Sequence, residues 1–65
     1  MQIKLNGALI ETSAMTLDDL ITEQGFPADA VATAVDGAFV PRAARMNAQL
    51  AEGASVEVLS PMQGG

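Results

Sequence analysis

The part of this sequence best suited to chemistry is its end, Gly64-Gly65. Glycine carries no side chain, so such an end can enter a narrow channel in another protein, and its carboxylate stays open to attack. Met62 and Gln63 precede the pair, on a tail of roughly six residues that reaches about 20 Å when extended. A carboxylate is inert at neutral pH, so a function of this end requires a partner that activates Gly65 while residues 62–65 thread into its active site.

Catalysis by the side chains of this chain is not expected. Its 65 residues include no cysteine and no histidine, which removes the thiolate nucleophile, the commonest general base and the usual zinc ligands. Asp18 and Asp19 are adjacent, and on a helix they would point about 100° apart, too far to share one site. The serines lack a histidine to activate them. We predict a protein that is not an enzyme and binds no cofactor or metal of its own.

The charge balance narrows the choice of partners. The formal net charge is −5, and the only cations are Lys4, Arg42 and Arg45. Three cations are too few to neutralise a phosphate backbone or to bind an anionic membrane surface. We therefore expect neither nucleic acid nor a membrane as a partner. No apolar run approaches the roughly 20 residues that span a bilayer, and Glu11 interrupts the one candidate signal segment. We predict a cytoplasmic protein that is a monomer when free.

A strand and a tight turn open the chain. Apolar and polar residues alternate from Met1 to Asn6, a period of two that predicts a half-buried strand. Asn6-Gly7 is the dipeptide that a two-residue type I′ hairpin prefers, because both central positions need a positive φ. That turn would place Ile3 opposite Ile10 in the core, and Lys4 opposite Leu9 on the outer face.

A helix is predicted over 17–24, with signals at both of its ends. Thr16 is the candidate N-cap and Asp19, three residues later, closes an approximate capping box, while Met15 and Leu20 could form a hydrophobic staple. At the other end Gly25 suits the left-handed C-cap position, where Phe26 can pack back on the helix as in a Schellman motif. The next residue, a proline, prevents continuation.

The second half of the chain predicts three more strands. Residues 31–36 are β-branched at alternate positions, and Asp36-Gly37 is a second hairpin signal leading into a strand over 38–40. Residues 43–52 are ambiguous, although Met46 and Leu50 at i, i+4 favour a short helical turn. Alternation returns over 55–60, which predicts the last strand.

This order of elements predicts an α+β fold of the β-grasp type. Parallel pairing of the first and last strands would place the two most apolar strands at the centre of a mixed sheet, and the single helix would cover one face. We predict one domain over 1–60, followed by a flexible tail over 61–65.

The outer face of that sheet is a candidate docking surface. Alternation places Leu9 and Leu59 on it, flanking Lys4 and Glu57. Isolated surface leucines are ordinary, but an exposed apolar group near a functional end is a plausible partner site. Phe39 joins the candidates if its side of the strand is exposed, and Arg42 either contacts a partner or solvates the turn after the proline.

Several motifs along the chain resemble those of one known family. They are Met1-Gln2-Ile3 with Asn6-Gly7, Asp36-Gly37-x-x-Val40-Pro41-Arg42, Leu50-x-x-Gly53, Val56-x-Val58 and Ser60-Pro61-Met62-Gln63-Gly64-Gly65. Together with the length, they resemble the ThiS family, the sulfur carriers of bacterial thiazole biosynthesis, which are ubiquitin-like β-grasp proteins. The chain departs from the family where Ala54 replaces a frequent aspartate.

The resemblance implies a function for the Gly-Gly end. A ThiF-type adenylating enzyme, using ATP and magnesium, would convert the Gly65 carboxylate to an acyl-adenylate. A persulfide sulfur donor would then supply sulfur to form a thiocarboxylate, and thiazole synthase would take that sulfur for the thiazole ring of thiamine. The carrier itself would bind none of these cofactors.

Two alternatives share the fold and the Gly-Gly end. The small subunit of molybdopterin synthase uses the same thiocarboxylate chemistry, but such subunits are usually longer, and Val40-Pro41-Arg42 favours the thiazole pathway. A ubiquitin-like protein modifier would join Gly65 to a lysine of another protein. Lys4 is the only lysine of this chain, so linked copies would have a single side-chain attachment point.

Overall fold

The computed structural model describes residues 1–60, and its elements follow the order predicted from the sequence. The strands are β1 Gln2–Leu5, β2 Ala8–Glu11, β3 Ala32–Val35, β4 Ala38–Val40 and β5 Ser55–Leu59. The α-helix, α1 Leu17–Gln24, lies between β2 and β3, and a 3-10 helix, Arg42–Asn47, follows β4. The strands predicted over 31–36 and 55–60 are thus slightly shorter than expected, and the helix has its predicted bounds.

The five strands form one mixed sheet in the order β2-β1-β5-β3-β4. β1 and β5 pair in parallel, with Lys4 opposite Ser55, whereas the other neighbouring strands pair antiparallel. The helix packs against one face through its three buried side chains, Leu17, Leu20 and Ile21. The predicted β-grasp arrangement is therefore confirmed for residues 1–60.

Both hairpins form at their predicted dipeptides. Asn6 and Asp36 have φ of 51°, and Gly7 and Gly37 have φ of 85°. Positive φ at both central positions is the signature of a type I′ turn, whose twist matches that of the strands it joins. The first turn fixes the predicted register, with Ile3 opposite Ile10 and Lys4 opposite Leu9.

The first turn of α1 is capped as the sequence predicts. The Thr16 hydroxyl accepts a hydrogen bond from the backbone N–H of Asp19 at 3.2 Å, which satisfies one of the free donors at the helix start. The hydrophobic staple is weaker than expected, because Met15 remains 67% exposed while Leu20 is fully buried.

The last turn of α1 ends in the predicted Schellman motif. Gly25 has φ of 77°, and its N–H donates to the Thr22 carbonyl at 3.1 Å. The N–H of Phe26 donates to the Ile21 carbonyl, also at 3.1 Å. This pair of reversed hydrogen bonds defines the motif, and Phe26 is half-buried against the core.

The core lies between the inner face of the sheet and α1. Its buried hydrophobic members are Ile3, Leu5, Ala14, Leu17, Leu20, Ile21, Val31, Leu50, Ala54, Val56 and Val58. Both central strands contribute side chains at alternate positions, as a sheet covered on one face requires. Within the described part of the chain, no helix is long and apolar enough to cross a membrane.

Candidate functional site

The candidate site begins where β5 ends. β5 is the central strand of the sheet, paired with β1 on one side and β3 on the other, and its Val56 and Val58 are buried. The chain therefore leaves the sheet from its middle strand, at Leu59. The residues predicted to carry or to position the chemistry, Met62, Gln63, Gly64 and Gly65, lie outside the described residues, and their roles stay predictions.

Next to this exit the outer face of the sheet is apolar. Phe39 is 70% exposed and Leu59 60% exposed, and two alanines lie between them on β3. Ala34 is paired with Phe39, and Ala32 with Leu59. Because alanine fills little space between the two large side chains, the face forms a shallow cavity of about 100 Å³ there. Its lining residues are Ala32, Thr33, Ala34, Phe39, Glu57 and Leu59.

Leu9 lies on the same face but away from this cavity. It is 63% exposed, as predicted, and sits opposite Lys4 on the edge strand β2. Lys4 pairs with Ser55, so Leu59 lies about 13 Å farther along β5 at the usual rise per residue. Phe39 is on the opposite edge strand, four strand spacings or about 19 Å across the sheet. The exposed apolar residues therefore form two separate groups.

One acidic and one basic residue lie at or near the cavity. Glu57 lies on β5 between the exit and Ser55, and its side chain lines the cavity. Arg42 is exposed at the start of the 3-10 helix, two residues after β4. The predicted candidates Phe39 and Arg42 thus lie near one edge of the sheet, with Leu59 toward its centre.

Arg45 has a structural position that sequence reasoning missed. It is only 2% exposed, and its guanidinium donates to the Ala28 and Val31 carbonyls, each at 2.7 Å, and to the Thr33 hydroxyl at 3.1 Å. These bonds tie the 3-10 helix to the segment that connects α1 with β3. The sequence offers one signal for this role, which is the presence of a cation within the ambiguous segment 43–52.

The shared face predicted for Met46 and Leu50 is wrong, although the helical turn is present. Leu50 is buried, but Met46 is 65% exposed. The 3-10 helix ends at Asn47, so the i, i+4 relationship does not hold across both positions. Arg45 occupies the inward direction instead.

The carboxylates do not assemble a catalytic or metal site in residues 1–60. Asp18 and Asp19 are exposed in the first turn of α1, where the helix dipole favours anions. No group of three or more possible ligands is placed to hold a metal ion in this described part. The Thr12 hydroxyl donates to Glu23 at 2.6 Å, and this bond lowers the pKa of the Glu23 carboxyl below its usual value. That contact joins the residue that follows β2 to α1 and has a structural role.

Comparison with models of known families shows to which family this chain belongs. A family model described as the ThiS family matches residues 3–65, nearly the whole sequence. The chain belongs to the ThiS family. The family predicted from the sequence motifs is confirmed, and with it the general assignment as a small sulfur carrier rather than a catalyst. No significant match was found among curated proteins.

Solved structures support the fold of this ThiS-family chain. The crystal structure of the thiamine biosynthesis protein ThiS from Geobacter metallireducens is 23% identical, with a TM-score of 0.87 and full coverage of both chains. The solution NMR structure of a thiamine biosynthesis protein from the same organism is also 23% identical, with a TM-score of 0.83, covering 100% of this chain and 88% of the other. At this identity the likeness establishes the β-grasp fold.

Proposed function

We propose that this chain carries sulfur on the carboxyl group of Gly65 for the synthesis of the thiazole ring of thiamine. The observation that carries the proposal is the ThiS-family match, which extends through residue 65. The composition supports it, because a chain without cysteine or histidine has no side chain suited to hold transferable sulfur. The terminal carboxylate is then the group available for that role.

The first step is activation of the carboxylate by a ThiF-type adenylating enzyme. A carboxylate oxygen of Gly65 attacks the α-phosphorus of ATP, an acyl–phosphate bond forms, and pyrophosphate leaves with magnesium. The partner supplies every catalytic group and binds the nucleotide and the metal. This division of labour fits a carrier that provides only an accessible end and a docking surface.

The second step replaces oxygen by sulfur. The terminal sulfur of a cysteine persulfide on a donor protein attacks the acyl carbon, and AMP leaves. Two electrons from a thiol reductant then cleave the sulfur–sulfur bond, which leaves a thiocarboxylate on Gly65 and restores the donor cysteine. Thiazole synthase takes the sulfur from this thiocarboxylate in the last step.

Docking of these partners is proposed to use the outer face of the sheet. The cavity between Phe39 and Leu59 begins at the end of β5, so a partner that binds there also lies where the tail leaves the domain. Arg42 and Leu9 extend the proposed contact toward the two edges of the sheet. An interface of standard size covers about 800 Å² per partner, which is wide enough to include both edges.

The test is the mass of the intact protein purified from cells that synthesise thiamine actively. The expected result is a species in which one oxygen is replaced by sulfur, and fragmentation should place the change on Gly65. A variant without Gly65 is the matched control and should keep its unmodified mass. An unmodified full-length chain under these conditions would contradict the proposal.

Genetic complementation separates the candidate pathways. The full chain should rescue a thiamine auxotroph that lacks its own sulfur carrier, and the chain without Gly64-Gly65 should not. Full rescue by the truncated chain would exclude the thiazole assignment. Rescue of molybdenum-cofactor synthesis instead would favour the molybdopterin synthase subunit, and isopeptide-linked products in the cell extract would favour a protein modifier.

A further inference from the structure

We infer that Asn6 is a positioning residue whose side-chain amide fixes the point where the chain leaves β5 toward Gly65. This inference rests on the proposed function, because it concerns how the end of the chain is delivered to an activating enzyme. It is carried by hydrogen bonds between a turn at one end of the first hairpin and the last buried residue of β5.

The side chain of Asn6 takes the place beside β5 that a further residue of β1 would occupy. The backbone of β1 pairs with β5 as far as the bond from the Asn6 N–H to the Val56 carbonyl, at 2.8 Å. There the chain turns away, since Asn6 and Gly7 form the type I′ turn. Beyond it, the Val58 N–H donates to Asn6 Oδ1 at 2.9 Å, and Asn6 Nδ2 donates to the Val58 carbonyl at 3.1 Å.

The chemistry of the amide explains why asparagine suits this position. A carboxamide has the donor and the acceptor of a peptide group, so it can satisfy both backbone groups of Val58 as another strand residue would. Asparagine is also among the few non-glycine residues that adopt a positive φ readily. One residue therefore forms the turn and extends the pairing of β5 toward Leu59 and Ser60.

The chain contains an internal control for this arrangement. Asp36 holds the same place in the second type I′ turn, with the same φ of 51°, and it contacts the opposite end of β5. Its Oδ1 accepts from the Ser55 N–H at 2.9 Å, and its own N–H donates to the Ser55 carbonyl at 2.7 Å. Two equivalent turns thus hold the two ends of the same strand, and only the one at Asn6 lies beside the exit.

The position of Val58 makes this contact relevant to the end of the chain. β3 pairs with Val58 through Thr33, so the strand is held on one side without Asn6. On the other side, the Asn6 amide holds both backbone groups of Val58, so this end of β5 is held from both of its edges. A fixed end of β5 presents one exit position relative to the docking face, and preorganisation of this kind favours productive binding.

The test compares Asn6→Gly with Asp36→Gly in two measurements. Glycine accepts the positive φ of either turn, so both variants should fold. Hydrogen exchange of the Val58 amide should accelerate at least about tenfold in Asn6→Gly, because its acceptor is lost. In ATP–pyrophosphate exchange with a ThiF-type enzyme, the KM for Asn6→Gly should rise about fivefold with kcat nearly unchanged. Asp36→Gly should leave both quantities at the wild-type value.

A third variant separates the two halves of the amide. Asn6→Asp keeps an acceptor for the Val58 N–H but replaces the donor with a carboxylate oxygen facing the Val58 carbonyl. Its KM should therefore also rise, while the Val58 amide stays protected. A wild-type KM for both Asn6 variants would overturn the inference and leave the proposed function intact. An unchanged rate of hydrogen exchange at the Val58 amide in Asn6→Gly would do the same. If the wild-type chain supported no ATP–pyrophosphate exchange, the proposed function and this inference would both be overturned.

Discussion

The guanidinium of Arg45 and the hydroxyl of Thr33 form a buried hydrogen bond of 3.1 Å. The same hydroxyl donates to the Val40 carbonyl at 2.8 Å, so Thr33 connects Arg45 to the end of β4. Both side chains are almost fully buried. The 3-10 helix, the segment before β3 and the last residue of β4 are therefore joined through one polar network next to the candidate docking face.

Replacement of Arg45 should destabilise the protein strongly. Arg45→Met removes the donors to the Ala28 and Val31 carbonyls and to Thr33, and part of these acceptors would stay buried without a partner. We expect the free energy of unfolding to fall by about 3 kcal/mol, measured by urea denaturation. Arg42→Met is the matched control, and because Arg42 is exposed its effect should stay within about 0.5 kcal/mol. Equal effects of the two substitutions would contradict the structural role of Arg45.

Loss of the helix cap should have a moderate cost. Thr16→Ala removes the acceptor of the Asp19 N–H, so we expect a loss of about 1 kcal/mol in the free energy of unfolding. Thr22→Ala, at an exposed position inside α1, is the control and should be neutral or slightly stabilising, because alanine is the better helix former. Thermal or urea unfolding distinguishes the two, and a neutral Thr16→Ala would show that the cap is dispensable.

Glu23 should contribute to the loss of stability in acid. Its pKa is lowered from the usual 4.5 by the hydrogen bonds from Thr12 and Gln24. A carboxyl whose folded pKa is lowered stabilises the protein above the unfolded pKa, and that contribution is lost as the pH falls through the folded pKa. Glu23→Gln should therefore show a shallower fall in unfolding free energy below pH 4.5, measured by urea titrations at stepped pH.

The pH experiment has a conservative control. Thr12→Ser keeps the hydroxyl that donates to Glu23, so its pH profile should follow that of the wild-type chain. If Glu23→Gln and the wild type lose stability in parallel as the pH falls, the hydrogen bond to Thr12 contributes nothing to the acid response.

A charge at the cavity should weaken partner binding without unfolding the domain. Leu59→Glu places a carboxylate beside Phe39 on an exposed apolar face, and we expect the Kd for a ThiF-type enzyme to rise at least about tenfold. Leu9→Glu should also raise the Kd, since the proposed contact extends to β2. Calorimetric titration measures the Kd, and the melting temperature shows whether the domain remains folded.

The control for these two substitutions is a glutamate introduced on the other side of the molecule. Met15 is 67% exposed and precedes the N-cap of α1, where a negative charge is well tolerated. Met15→Glu should therefore leave the Kd unchanged. A Kd that rises equally for Met15→Glu and Leu59→Glu would indicate a general charge effect and would argue against the outer face as the docking surface.

Local signals explain how much of the fold was predictable. Asn6-Gly7 and Asp36-Gly37 determine their turns through their own backbone preferences, and each turn then sets the register of two strands. The limits of α1 follow in the same way from Thr16 and Gly25. Such elements depend on neighbours in the sequence, so a single sequence contains the information needed to place them.

The remaining features depend on contacts between distant residues. Alternation puts Leu9, Phe39 and Leu59 on one face, but only the strand order decides that Phe39 and Leu59 border one cavity while Leu9 lies apart. Arg45 is buried because carbonyls of residues 28 and 31 and the Thr33 hydroxyl meet at one point. No periodicity within 43–52 reports that arrangement, since all its acceptors belong to other segments.

The central place of β5 has a consequence for the order in which the chain is synthesised. The two hairpins, β1–β2 and β3–β4, can form early from neighbouring residues, but an isolated hairpin is marginal in water. Among residues 1–60, the sheet joins them through residues 55–59, which the ribosome adds after both. The domain therefore acquires its stability late in translation, and a chain that stops before β5 would lack the strand that joins its two hairpins.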